Sequence, residues 1–284
     1  MPADKRIDMA DLEGFHRDWS KYSNDGLITL GFLWGGIPIG PEASKFPDRM
    51  EAAKKEFETA RRLGIPMCTH WASRENTPAG QVEPLAKGGF LGKDVLLVHM
   101  LATSPAEMKM VAAAGSPISS SPGSELRIGY GGTKACEFMD AGVVVSVSVD
   151  SVPLTGNANF FGILKLLRNA ENAKAFDEFK LSARKALEMG TINGAKALGL
   201  DDKIGSLVPG KRADLIMVRT DRVSMGVFTD PTHMLVEAAE EADIDTVVVD
   251  GRILKRAGKL TAISPDQVIS DAAATLEAVG KRLS

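Results

Sequence analysis

Along the first two-thirds of the chain, two hydrophobic rhythms take turns. Short apolar runs read as buried strands: GLITLGFLWGG (26–36), IPMCTH (65–70), VLLVH (95–99), the weaker SPISSSP (116–122), and VVVSVSVD (143–150). Between them, apolar residues recur at helical spacing over 48–64, 104–115 and 132–142. In the second of these helices, Ser104 is the expected N-cap, Pro105 the first helical residue and Glu107 the acid of a capping box. Strands flanked in this way by helices imply a parallel sheet buried on both faces and built from successive βα units.

Beyond Ser151 the rhythm changes. The segments 157–174 and 180–200 each read as a helix. Ile204 to Arg219 predicts two short strands around a Pro-Gly turn, and Asp243 to Thr261 predicts a hairpin turning at Asp250-Gly251. A last amphipathic helix covers 265–283.

Three of the apolar runs end in a group that can bind a metal or carry a proton: His70, His99 and Asp150. In α/β folds, ligands bind at the C-terminal ends of the strands, which is where these three residues fall. Taken singly, a histidine at a strand end is more often a hydrogen-bonded structural residue than a ligand. Asp150 must find a partner because an unpaired buried carboxylate is costly, although an N-cap role or a salt bridge would serve. Together they offer the nitrogen and oxygen donors that Zn²⁺ or Fe²⁺ accepts, with a position left open for water.

Composition narrows the classes. A formal net charge of −3 over 284 residues gives no electrostatic reason for a nucleic-acid partner. No run approaches the roughly 20 apolar residues of a membrane span. The two isolated cysteines, Cys68 and Cys136, exclude a disulfide framework and a paired-cysteine zinc site, and they suit a reducing cytoplasm. The first residues lack the apolar core of a signal peptide, so a cytoplasmic location is expected. Neither a GxGxxG after an early strand nor a GxxxxGK[ST] phosphate loop is present, which argues against a nucleotide-binding sheet.

The segments MCTHWAS, VLLVHM, SPGSELRIGYGG, VVVSVSVDS and ALEMGTINGAKALGLDDKIGSLVPGKRADLIMV resemble the amidohydrolase superfamily, of the cytosine deaminase and chlorohydrolase type, from about Gly26 to Thr261. The resemblance implies an α/β fold: strands four to eight of a (β/α)₈ barrel with part of a small composite β-sandwich and a C-terminal helix. The corresponding division is 1–203 for the partial barrel, 204–262 for the sandwich segment and 263–284 for a helix packing back on the body. It also implies one divalent ion, zinc or iron, with His70 as the fifth-strand ligand and Asp150 as the eighth-strand ligand and proton acceptor. His99 matches the sixth-strand histidine, which contacts substrate or hydroxide in mononuclear relatives and a second metal in dinuclear ones. Trp71 is a candidate wall against a flat substrate, and packing beneath a loop accounts for it equally well.

Three departures from the family pattern stand out. The family's HxH pair is missing: the only histidines are His16, His70, His99 and His233, and the residues before Gly26 are too few for three βα units of about 30 residues each. Ser73 stands where ring deaminases carry the glutamate of HxxE, with Glu75 close by at the wrong spacing. Glu125 stands where relatives often have asparagine. The expected function is a metal-dependent hydrolase of a non-peptide C–N bond in a small substrate, its missing ligands coming from another chain or an upstream part. The alternative is an inactive truncated homologue serving as a subunit or scaffold. Open sheet edges would favour a homo-oligomer or a complementing chain, with no nucleic acid and no membrane among the partners.

Overall fold

The computed structural model describes residues 8–39, 47–71, 74–227 and 229–283. Five strands form one parallel sheet in chain order: β1 (Phe32–Leu33), β2 (Met67–Trp71), β3 (Val95–His99), β4 (Ile118–Ser120) and β5 (Val145–Val147). The expected run of βα units is present. Among the described residues β1 and β5 are the sheet's edges, so the barrel is not closed.

Strand β1 is far shorter than the apolar run around it. Gly31, Gly35 and Gly36 interrupt that run, and glycine in a strand adds entropy cost without packing. Pairing with β2 nevertheless extends to Trp34, whose N–H donates to Cys68 O at 2.8 Å. The Trp34 indole lies among Phe57 and Phe90, with ring centroids 5.0 and 5.3 Å away, and its Nε1 donates to Ala53 O. Phe57 belongs to α2 (Pro47–Arg62), so this aromatic cluster clamps helix to sheet. The central strands supply Val95 and Leu97, both fully buried.

Helix α1 (Met9–Asp18) precedes this sheet, and α3 (Val82–Lys87) forms inside a stretch that the sequence pattern leaves as a loop. Helix α4 (Pro105–Ala114) has the expected capping box, Ser104 Oγ accepting from Glu107 N–H and Glu107 Oε2 accepting from Ser104 N–H. Glu107 Oε1 also accepts from the Gly80 and Val82 amides, tying the start of α3 to the start of α4. Helices α5 (Pro122–Arg127), α6 (Ala135–Asp140) and α7 (Val152–Thr155) follow strands β4 and β5, then α8 (Phe160–Ala175).

The helix expected over 180–200 is two: α9 (Ala183–Gly190) and α10 (Ile192–Ala197). Thr191 breaks it, with φ −127° and ψ −96°, and its hydroxyl donates to Leu187 O. Just before the break, Gly190 meets α8 so closely that a Cβ there would lie 2.8 Å from Phe160 Cε1.

The second sheet, β6 (Leu215–Val218), β7 (Ile244–Val249), β8 (Arg252–Arg256) and β9 (Lys259–Leu260), is antiparallel in that order. Its Asp250-Gly251 turn has φ of 51° and 75°, the paired positive values of a type I′ hairpin turn. Of the two strands expected over 204–219 only the second forms. The preceding segment folds back as a loop, Arg212 N–H donating to Lys203 O. Helix α11 (Pro231–Glu237) packs on α8 and α9. A largely apolar cavity of about 740 Å³ lies between α8–α10 and β6–β7, with Phe161, Leu164, Leu187, Leu215 and Val247 among its lining residues.

The closing helix, α12 (Pro265–Leu283), forms as expected. Every described side chain on it is exposed, including Ile269 and Leu276. The expected packing back on the body is therefore not seen among the described residues.

Candidate functional site

His70, His99 and Asp150 lie at the C-terminal ends of β2, β3 and β5, on one rim of the parallel sheet. The two imidazoles meet directly. Their Nε2 atoms are 3.1 Å apart and their rings are nearly perpendicular, with centroids 4.8 Å apart. Strand register alone would not bring them together. His70 pairs with Val98 and Trp71 with His99, so strict alternation puts the two histidines on opposite faces. The backbone breaks that alternation: His99 and Met100 are both left-handed, with φ of 68° and 58°. Asp150 has the same conformation at φ 63°. Non-glycine residues rarely adopt it, and here they do so where two strands reach the rim.

The His99 side of the rim is deeply built. His99 is 3% exposed, and its Nδ1 lies 3.0 Å from Oε1 of Glu125, which is fully buried on α5. Glu125 Oε1 also accepts from Ser121 N–H at 2.8 Å, and Oε2 from Ser120 Oγ–H at 3.1 Å. Ser121 Oγ is 3.0 Å from Ser148 Oγ, which accepts from the Asp150 amide at 3.0 Å. A polar chain thus runs from beneath His99 to the backbone of Asp150.

Asp150 itself is exposed, and its Oδ1 accepts from Ser151 N–H at 2.8 Å, a local contact at the start of α7. Its charge reaches His70. The His70 imidazole is held below its ordinary range, first by desolvation and then by neighbouring His99, while Asp150 pulls the other way.

Trp71 packs half-buried against the core beside Gly36. At Gly36 (φ +73°) a Cβ would sit 3.1 Å from Trp71 Cζ2, so the indole rests on a glycine surface. Its Nε1 is buried with no hydrogen-bond partner among the described residues. Glu75 braces the neighbouring loop, Oε2 accepting from Gly132 N–H, and Arg127 donates to the carbonyls of Pro153 and Leu154 on α7. Ser73 lies outside the described residues. His16 is exposed on α1 and His233 sits on α11. Cys68 and Cys136 are both raised by burial, Cys136 to about 12, so neither is a thiolate donor near neutral pH.

The donors present suit a divalent ion in kind, with two imidazole nitrogens already at close range and a carboxylate nearby. In number they fall short: among the described residues no group of three or more His, Cys, Asp or Glu side chains is placed to hold a metal. In the sequence, Glu125 stands out only as a departure from a family pattern. The signal that could have marked it is the Ser-Pro helix start with an acid one turn later, which ties the carboxylate to the N-terminus of α5.

The amidohydrolase family model matches residues 42–254, well over half of the chain. A 5-methylthioadenosine/S-adenosylhomocysteine deaminase of Acetivibrio thermocellus is 30% identical over 78% of this chain and 52% of its own length. A 5'-deoxyadenosine deaminase of Methanosarcina barkeri is 30% identical over 98% of this chain and 63% of its own. The solved adenosine deaminase of Xanthomonas campestris with bound zinc superposes with a TM-score of 0.82 at 21% identity, covering 96% of this chain and 61% of the other, which speaks to fold alone. Atrazine chlorohydrolase from Arthrobacter aurescens TC1, complexed with zinc, gives 0.72 at 26% identity over 84% and 53%. The chain spans about half to two-thirds of the length of these relatives. With the parallel sheet, the rim histidines and the matched segment in agreement, the chain belongs to the amidohydrolase family.

Proposed function

We propose that this chain forms part of a metal-dependent hydrolase that cleaves the exocyclic C–N bond of an adenosine-like nucleoside, water adding to the ring carbon and ammonia leaving. The observation that carries the reading is the contact between the Nε2 atoms of His70 and His99 at the rim of an amidohydrolase sheet. The names of the relatives supply the substrate class.

His70 and His99 would hold the ion, zinc or iron, with donors from polypeptide outside these 284 residues completing it. That polypeptide would be a second copy of this chain, a complementing chain or an upstream part. When bound, such an ion lowers the pKa of a water so that hydroxide is available near neutral pH. Asp150, exposed at the rim and electrostatically coupled to His70, takes the proton from the attacking water and returns it to the leaving nitrogen. Trp71 borders the site as an apolar wall for the flat base.

Elemental analysis after zinc loading, combined with ammonia release from 5'-deoxyadenosine, tests this. About one zinc per chain, lost in His70→Ala, supports the reading. The shortage of a third donor among the described residues favours a second reading, a non-catalytic homologue acting as a subunit. A chain that keeps no zinc and releases no ammonia even when the polypeptide carrying the remaining donors is supplied would favour it.

A further inference from the structure

Glu125 is a fully buried carboxylate that the proposed chemistry does not use. Each of its oxygens is met by a donor: Ser120 Oγ–H at Oε2, and Ser121 N–H together with the His99 ring at Oε1. With both oxygens already accepting, Oε1 meets the His99 ring as an acceptor as well, and the facing nitrogen, Nδ1, is the one that donates. The far nitrogen, Nε2, then points a lone pair at the rim where His70 Nε2 lies 3.1 Å away.

We infer that Glu125 is a positioning residue that fixes His99 as its Nδ1–H tautomer and so presents Nε2 as a donor atom at the rim. The inference rests on the proposed function only for what the lone pair is used for. The left-handed backbone at His99 and Met100 sets where the ring starts, and the carboxylate sets how it is turned. A second support comes from the serines. Because Ser120 can donate or accept, the carboxylate can be replaced by an amide without orphaning the pocket: the glutamine oxygen would keep Ser121 N–H and His99 Nδ1–H, and its NH₂ would face a reversed Ser120 hydroxyl.

The test is ¹⁵N NMR of the imidazoles in the metal-free full chain at pH 8, above the ordinary imidazole range. His99→Asn assigns the His99 signals. The expected result is Nδ1–H for His99 in the wild type, the same in Glu125→Gln, and a mixed or Nε2–H population in Glu125→Ala. Should Glu125→Ala fail to fold, Glu125→Met fills the pocket with an apolar chain of similar length and gives the same readout. An Nε2–H or doubly protonated His99 in the wild type overturns the inference, as does an unchanged Nδ1–H in the variants lacking an acceptor. In zinc competition with a chromophoric chelator, Glu125→Ala is expected to bind about 10–100-fold more weakly, with Glu125→Gln closer to wild type. A wild type that binds no zinc even with the polypeptide carrying the remaining donors supplied, yet shows the Nδ1–H tautomer, sinks the proposed function and supports the positioning role.

Discussion

At the β3 end of the rim, His99 is almost wholly buried and leans on a carboxylate that two serines also hold. At the β5 end, Asp150 stands in solvent, and it hydrogen-bonds Ser148 and Ser151, within two positions along the chain. One group is anchored by the tertiary structure and the other by its own turn. The difference separates two kinds of cost. Disturbing the first should be felt throughout the fold, and disturbing the second should be felt only in the chemistry.

The largest effect is expected from His99→Ala. It opens a hole in the core and removes the ring partner of a buried carboxylate, and it should lower stability by about 3 kcal/mol in urea unfolding. A loss below about 0.5 kcal/mol would mean that Ser120 and Ser121 alone satisfy Glu125.

Acid should bring out the contrast at an intermediate level. The His70 imidazole titrates below its ordinary value in the folded state, so the unfolded chain takes up the proton first. Its contribution to stability is therefore complete above the unfolded value near 6.5 and is lost as pH falls through the lower folded value. His70→Asn should flatten that part of a stability–pH profile. An unchanged profile would locate the acid sensitivity elsewhere.

Asp150→Asn is expected to leave stability within about 0.5 kcal/mol of wild type. Asparagine tolerates the left-handed backbone that Asp150 adopts at φ 63°, and the side-chain oxygen can still accept from Ser151. Ammonia release should nevertheless fall to background. A strongly destabilised Asp150→Asn would show that the two ends of the rim are not separable.

Much of this was readable in the sequence where local rules govern. Strand β3 and helix α4 fall where the apolar spacing and the Ser104–Glu107 box put them, and the Asp250-Gly251 turn follows from its two residues. The rim location of His70, His99 and Asp150 followed from strand ends in a parallel sheet. The contact between the two histidines did not, because it depends on a left-handed residue where the pleat predicts the opposite face. Glu125 was opaque for a similar reason: its partner His99 is 26 positions away, and only the tertiary fold brings the two together. The break at Thr191 was hidden because the apolar spacing of 180–200 stays helical through it.

Helix α12 has a different lesson to offer. With all its described side chains in water, its turns receive no support from packing, and a 19-residue helix held by its own propensity alone opens readily. Its amides should therefore exchange with deuterium far faster than those of α8, whose Leu164 and Leu167 are sealed in the interior. That makes the C-terminal helix a built-in reporter: whatever comes to rest on Ile269 and Leu276 will announce itself by slowing the exchange.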